Sequence, residues 1–142
     1  MKIKIKRIDA SLPLPQYATP GSVCFDLLAR TDMEISSKTV ALIPTNIIIE
    51  TPPGYMFIVI PRSSTPKKKG LLIPHGIGVV DQDYSGPEDE VLFQVYNFTD
   101  EVVSIAKGDR LAQGCFVPIE KVEFEEVDKI LDKSRGGVGS TG

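Results

Sequence analysis

The stretch VALIPTNIIIETPPGYMFIVI, residues 40–60, decides the architecture. Val40 to Ile43, Ile47 to Glu50 and Tyr55 to Ile60 are short runs of mainly β-branched and aromatic residues, which suit a pleated, half-buried surface. Pro44-Thr45-Asn46 and Pro52-Pro53-Gly54 separate them, and punctuation at such close intervals belongs to strands. The same rhythm continues on both sides. Lys2 to Arg7 alternates charge with Ile3 and Ile5; Val91 to Asn97, Val102 to Ile105 and Leu111 to Val117 follow, divided by Ser85-Gly86-Pro87 and Lys107-Gly108-Asp109. The expected class is all-β, a sandwich or barrel. Helix is expected only as single turns at Thr65 to Lys69 and Glu125 to Leu131.

A chain of 142 residues is long enough for one domain with its own core. We expect that domain over residues 1–132 and a flexible, Gly-rich C-terminal segment over 133–142. The net charge of −3 opposes a nucleic-acid partner, which would leave a basic footprint. Lys67-Lys68-Lys69 is the one basic run, and a solvated loop accounts for it. No apolar run reaches a membrane span, and MKIKIKRIDA lacks the apolar centre of a signal peptide. Cys24 and Cys115 are far apart in sequence and match no metal spacing, so we expect free buried thiols and a cytoplasmic protein.

Four segments carry chemistry. In IGVVDQDYSGPEDE, residues 77–90, Asp81 and Asp83 are two apart and share a face if the strand is extended. Such a pair suits a general base or a Mg2+-linked site, and equally an acidic hairpin tip. Arg62, Ser63 and Ser64 follow an apolar strand, where a guanidinium and two hydroxyls can take phosphate oxygens. Gln113, in Gly108-Asp109-Arg110-Leu111-Ala112-Gln113-Gly114, is one polar position on a late strand. The tail KSRGGVGSTG, residues 133–142, combines glycines that can form a backbone nest with Arg135, Ser140 and Thr141; it suits a phosphate clamp or a plain flexible terminus.

Taken in order, these segments resemble the five motifs of the trimeric dUTPases. The first is Ala18-Thr19-Pro20-Gly21-Ser22 running into Phe25-Asp26-Leu27; the second is Pro61-Arg62-Ser63-Ser64. The third runs from Gly78 to Gly86, the fourth from Gly108 to Gln113, and the fifth from Gly136 to Gly142. The resemblance covers nearly the whole chain. It implies a distorted antiparallel β-barrel of the jelly-roll kind, a homotrimer with sites at subunit interfaces, and a tail that closes over each site. It implies hydrolysis of dUTP to dUMP and pyrophosphate with Mg2+, lowering dUTP and supplying dUMP for thymidylate synthesis.

Carried onto this sequence, the resemblance makes Asp81 the general base for water attack on the α-phosphorus. Asp26 would touch the hydrated Mg2+ through water. Arg62, Ser63, Ser64 and Gln113 would hold phosphates, and His75, Gly78, Val79, Val80 and Tyr84 would meet the base and sugar. From the tail, Arg135, Val138, Gly139, Ser140 and Thr141 would close on the nucleotide. Val138 stands where the family has a Phe that stacks on uracil, and Lys133 where it has an Arg, so either Lys133 or Arg135 grips the γ-phosphate. His75 replaces an Asn. Pro87-Glu88-Asp89-Glu90 resembles an acidic insertion, read as a solvated loop with Mg2+ as the alternative.

Two other functions share parts of this pattern. A dCTP deaminase, alone or bifunctional, shares the fold but needs a Glu three positions before Asn97, where this chain has Gln94. A non-catalytic nucleotide-binding module is suggested by the missing Phe and opposed by Asp81.

Overall fold

The computed structural model describes residues 1–137. Among the described residues the chain forms β1 (Ile5–Arg7), β2 (Phe25–Leu28), β3 (Met33–Ile35), β4 (Val40–Pro44), β5 (Ile47–Ile49) and β6 (Tyr55–Pro61). A helical turn α1 (Thr65–Lys69) precedes β7 (Leu71–Leu72), β8 (Gly78–Val80), β9 (Leu92–Asn97), β10 (Val103–Ile105) and β11 (Arg110–Pro118). The pairings between these strands are antiparallel and build four sheets: β1-β5, β3-β10, β2-β11-β6-β8 and β4-β9-β7. No single sheet closes on itself, so the jelly-roll barrel is a distorted one. No helix among the described residues is long and apolar enough to cross a membrane.

Alternation along the strands decides which side is inside. On β6, Phe57 and Val59 are buried while Ile58 and Ile60 are less so; on β2, Phe25 and Leu27 are buried while Asp26 and Leu28 are half-buried. The inward residues meet Ile43, Ile47, Leu71, Val91, Phe93 and Val95 in one core. Phe25 stacks on Phe57 at 5.7 Å and 7°, and Phe116 packs on Phe57 at 5.0 Å. Gly114 leaves room for that stack: a Cβ there would lie 2.4 Å from Cζ of Phe57.

The break at Pro44-Thr45-Asn46 is a change of sheet, because β4 pairs with β9 while β5 pairs with β1. Asn46 turns the corner at φ 71°, a conformation that Asn tolerates better than most residues. It is held by the Asp9 N–H, which donates to its Oδ1, by its own Nδ2 donating to the Asp9 carbonyl, and by its N–H donating to Glu90. The expected turn at Thr65 to Lys69 forms and ends on Gly70 at φ 65°. Lys67 and Lys68 are exposed as expected, whereas Lys69 pairs with Asp109 at 2.9 Å. Burial alone would raise the Asp109 carboxyl, but the bonds from Lys69 and from the Ala106 N–H hold it below the ordinary range.

No helix forms at Glu125 to Leu131. That segment lies exposed with nothing in its own chain to pack against, and one or two turns alone are too short to hold together. Nor are the two cysteines remote in space: they are half-buried neighbours across β2 and β11.

The Phe57 stack gives a direct test. Gly114→Ala drives a methyl into the ring, and overpacking of this kind costs about 1–3 kcal/mol. Urea unfolding of the variant is expected to show a lower midpoint with an unchanged m value.

Candidate active site

The functional side chains stand on the outward face of the β2-β11-β6-β8 sheet and at its ends. Across the central strand β11, Gln113 lies opposite Asp26 of β2 and opposite Ile60 of β6. Directly opposed residues share a face, so Asp26 and Gln113 form an outward polar row over the buried Phe25, Leu27 and Ala112. Strict alternation would send Arg110 inward. The register between β11 and β2 instead shifts between Arg110 and Ala112, so that Leu111 is an extra residue on β11. This β-bulge lets Leu111 and Ala112 both be buried and re-aims Arg110 outward.

As a result, Asp26 sits between two guanidinium groups. Arg62 Nε lies 2.9 Å from one carboxylate oxygen and Arg110 Nη1 3.4 Å from the other. Asp26 is 13% exposed at its side chain, Arg62 29% and Arg110 56%, so the carboxylate is the sheltered member and the cations face solvent. Two cations against one anion leave the cluster net positive. Arg62 uses only Nε on Asp26; its terminal nitrogens have no partner among the described residues. The Leu111 carbonyl accepts from the Arg62 N–H at 3.1 Å and from the buried Thr65 hydroxyl at 2.7 Å, docking the start of α1 beside β11. That places Ser63, exposed, and Ser64, half-buried, beside the cluster, and Ser64 makes no capping bond with its hydroxyl. Gln113 donates to the Pro61 carbonyl at 3.2 Å.

The second group of expected residues lies elsewhere. β8 pairs with β6 and does not fold into a hairpin with its own flanks. It ends at Val80, so Asp81 and Asp83 are not on a continuous extended strand: a turn follows, closed by the Tyr84 N–H on the Asp81 carbonyl at 3.4 Å. Gln82, to which the sequence assigns no part, anchors this turn by donating to the Tyr55 carbonyl at 2.9 Å. Asp81 is exposed between a cleft of about 460 Å³ that includes Tyr55, Gln82 and Lys121 and one of about 200 Å³ that includes Val79, Tyr84 and Leu92. A cleft of about 510 Å³ between the N-terminal segment and Phe116 is lined by no charged side chain. His75 is exposed and its Nδ1–H donates to the Ile77 carbonyl at 3.0 Å, bracing the approach to Gly78. Tyr84 donates its hydroxyl to the Glu90 carbonyl at 3.1 Å.

The insertion Pro87 to Glu90 is in part structural. Glu90 is buried, binds Arg30 through two 2.9 Å bonds and accepts from the Asn46 N–H, while Asp89 accepts from the Gly86 N–H. Neither carboxylate is left simply solvated. Arg135 is exposed, and Val138, Gly139, Ser140 and Thr141 lie outside the described residues.

Asp81 and the Asp26 cluster do not meet within one chain. β8 and β2 are opposite edges of the sheet, three strand spacings apart, and Asp81 follows Val80, which pairs with Phe57, whereas Asp26 lies level with Ile60. With strands about 4.8 Å apart and residues about 3.4 Å apart, the separation is on the order of 20 Å.

A family model for dUTPase matches residues 10–142. A deoxyuridine 5'-triphosphate nucleotidohydrolase of Shewanella sp. (strain ANA-3) is 39% identical over 147 residues, covering 100% of this chain and 95% of that protein. The crystal structure of dUTPase from Streptococcus mutans superposes with a TM-score of 0.77 at 30% identity, covering 84% of this chain and 98% of that one. A mutant dUTPase of phage phi11 of S. aureus, in a structure showing coordination of a structural Mg(II) ion, has the same fold at a TM-score of 0.82 and 18% identity, covering 92% of this chain and 99% of that one. With its motifs in order and the match extending over nearly all its length, the chain belongs to the dUTPase family.

Proposed function

We propose that this chain hydrolyses dUTP to dUMP and pyrophosphate at a site assembled from more than one copy of itself. The observation that carries the reading is the Asp26–Arg62–Arg110 cluster beside Gln113: a net positive, partly sheltered surface that suits a polyphosphate. Asp81 accepts a proton from water, and the water attacks the α-phosphorus in line while pyrophosphate leaves. The free nitrogens of Arg62, the hydroxyls of Ser63 and Ser64 and the amide of Gln113 hold phosphate oxygens. Arg135, Ser140 and Thr141 add donors when the segment 133–142 closes over residues 1–132, and closure excludes water. Val138 and Gly139 complete that lid without an aromatic stack.

Selectivity rests on backbone groups. β8 is an edge strand, so one side of Gly78–Val80 is free to hydrogen-bond a planar base. Uracil and cytosine present reversed donors and acceptors to such an edge, and a buried mismatch is rejected by up to about 10⁴-fold. His75 braces the near end of this edge. The Tyr84 ring, fixed through Glu90, lies against the deoxyribose and refuses a 2′-hydroxyl. The deaminase reading is set aside on Gln94, which offers no carboxylate.

Mg2+ fits as an ion carried in on the triphosphate. Among the described residues no three acidic, His or Cys side chains converge, and both Asp26 oxygens face guanidinium groups, leaving that carboxylate to reach a hydrated ion through water. When bound, the ion neutralises charge on the departing pyrophosphate.

The separation of Asp81 from its own cluster supports a homotrimer in which one copy supplies Asp81 to its neighbour. Exposed apolar surface supports the same assembly: Val40, Leu42, Leu72 and Leu92 on the outer face of β4-β9-β7, and Phe124, Ile130 and Leu131 beyond β11. The substrate suits a cytoplasmic location.

Pyrophosphate release from dUTP, with ammonia release from dCTP as the control, tests the reaction; pyrophosphate alone is expected. Asp81→Asn is expected to keep nucleotide affinity and to lose about 10²–10⁴-fold in kcat. Undiminished turnover in that variant would remove Asp81 as the base. Chelation by EDTA is expected to stop turnover without lowering the melting temperature, because among the described residues no three acidic, His or Cys side chains converge to hold an ion in the fold.

A further inference from the structure

Cys24, immediately before β2, and Cys115 on β11 occupy matching places. The register runs Gln113 opposite Asp26 and Gly114 opposite Phe25, and one further step sets Cys115 opposite Cys24. The Asp26 N–H donates to the Gln16 carbonyl at 3.2 Å and so points away from β11. Alternation then makes Asp26 and Cys24 non-hydrogen-bonded positions towards β11, where opposed Cα atoms lie about 4.5 Å apart and side chains converge. That distance is within the span a disulfide bridges. Both thiols are free and half-buried, and they lie close enough for Cys24 to raise the Cys115 thiol. The dUTPase reaction uses neither.

We propose that Cys24 and Cys115 are an oxidation site, which a small-molecule disulfide converts to an intrachain cross-strand disulfide. The Cys24 thiol loses its proton to water and its sulfur attacks the reagent, forming a mixed disulfide and releasing one reagent thiolate. The Cys115 sulfur, deprotonated in turn, displaces the second. Two protein thiols are oxidised and one reagent disulfide is reduced to two thiols, so the electrons balance. Burial, and then the neighbouring Cys24, pushes the Cys115 thiol up to about 11, which makes Cys24 the attacking group and Cys115 the resolving one. The product staples β2 to β11 one position beyond Phe25 and Gly114, next to the row that holds Asp26 and Gln113. It also closes a long loop, which stabilises the fold by restricting the unfolded chain.

The test is incubation of the full chain with oxidised glutathione, followed by alkylation, intact-mass measurement and peptide mapping. The expected product loses the mass of two hydrogens, carries no glutathione, yields one linked peptide pair containing Cys24 and Cys115, melts at a higher temperature and reverts with dithiothreitol. Cys24→Ser and Cys115→Ser each keep one thiol and should stop at a single mixed disulfide. Cys24→Ser should form it more slowly than Cys115→Ser, because burial still raises its remaining thiol. Retention of both thiols in the native chain would overturn the proposal. So would two glutathiones on one chain, or cross-links between chains.

Discussion

One extra residue in one strand organises the charged cluster on the outward face of the β2-β11-β6-β8 sheet. Leu111 is a bulge on β11 where that strand passes β2. Without it, the alternation that buries Ala112 and exposes Gln113 would turn Arg110 towards the core. With it, Arg110 comes out beside Asp26 and completes the pair of cations around that carboxylate. The same residue's carbonyl receives Arg62 and Thr65, so the second and fourth motifs are tied at a single backbone atom. A charged cluster held by ladder hydrogen bonds keeps its geometry before any ligand arrives, and preorganisation of this kind makes electrostatic stabilisation effective.

The balance of charge follows from that arrangement. A lone arginine pair would repel itself, and a lone buried carboxylate would repel phosphate. Asp26 between Arg62 and Arg110 resolves both problems: it holds the cations apart and in place, and the net charge stays positive. The same arrangement makes the cluster a poor cage for a resident divalent ion, and on the proposed reading it suits a nucleotide that brings its own. Tyr84 and Asp81 are positioned by different means, through Glu90 and Gln82, on the far edge of the sheet.

Much of the fold could be read from residues 40–60 and their repeats, because β-branched runs between Pro, Gly and Asn leave few alternatives. The turn at Thr65 to Lys69 was equally legible from Pro66 and the Gly70 that ends it. Short strands such as Met33–Ile35 and Leu71–Leu72 were not, since a strand of two or three residues has no period to detect. The bulge was invisible because Arg110-Leu111-Ala112 looks like ordinary alternation until its partner is known. The cysteines illustrate the same limit: sequence distance says nothing about cross-strand register. Asp81, Arg62 and Gln113 could be picked out as chemistry-bearing positions, but their separation on opposite sides of one sheet could not.

That separation is the centre of the account: on the proposed reading, a complete site takes Asp81 from one copy and the Arg62 cluster from another. Subunit mixing measures it directly. Asp81→Asn and Arg62→Gln chains, each nearly inactive alone, are unfolded together in equal amounts and refolded. If sites form between copies, random assembly puts both intact halves in about one quarter of them, and the mixture regains about that fraction of native dUTP hydrolysis. If each chain builds its own site, every site keeps a lesion. A mixture no more active than its two components would then contradict the account.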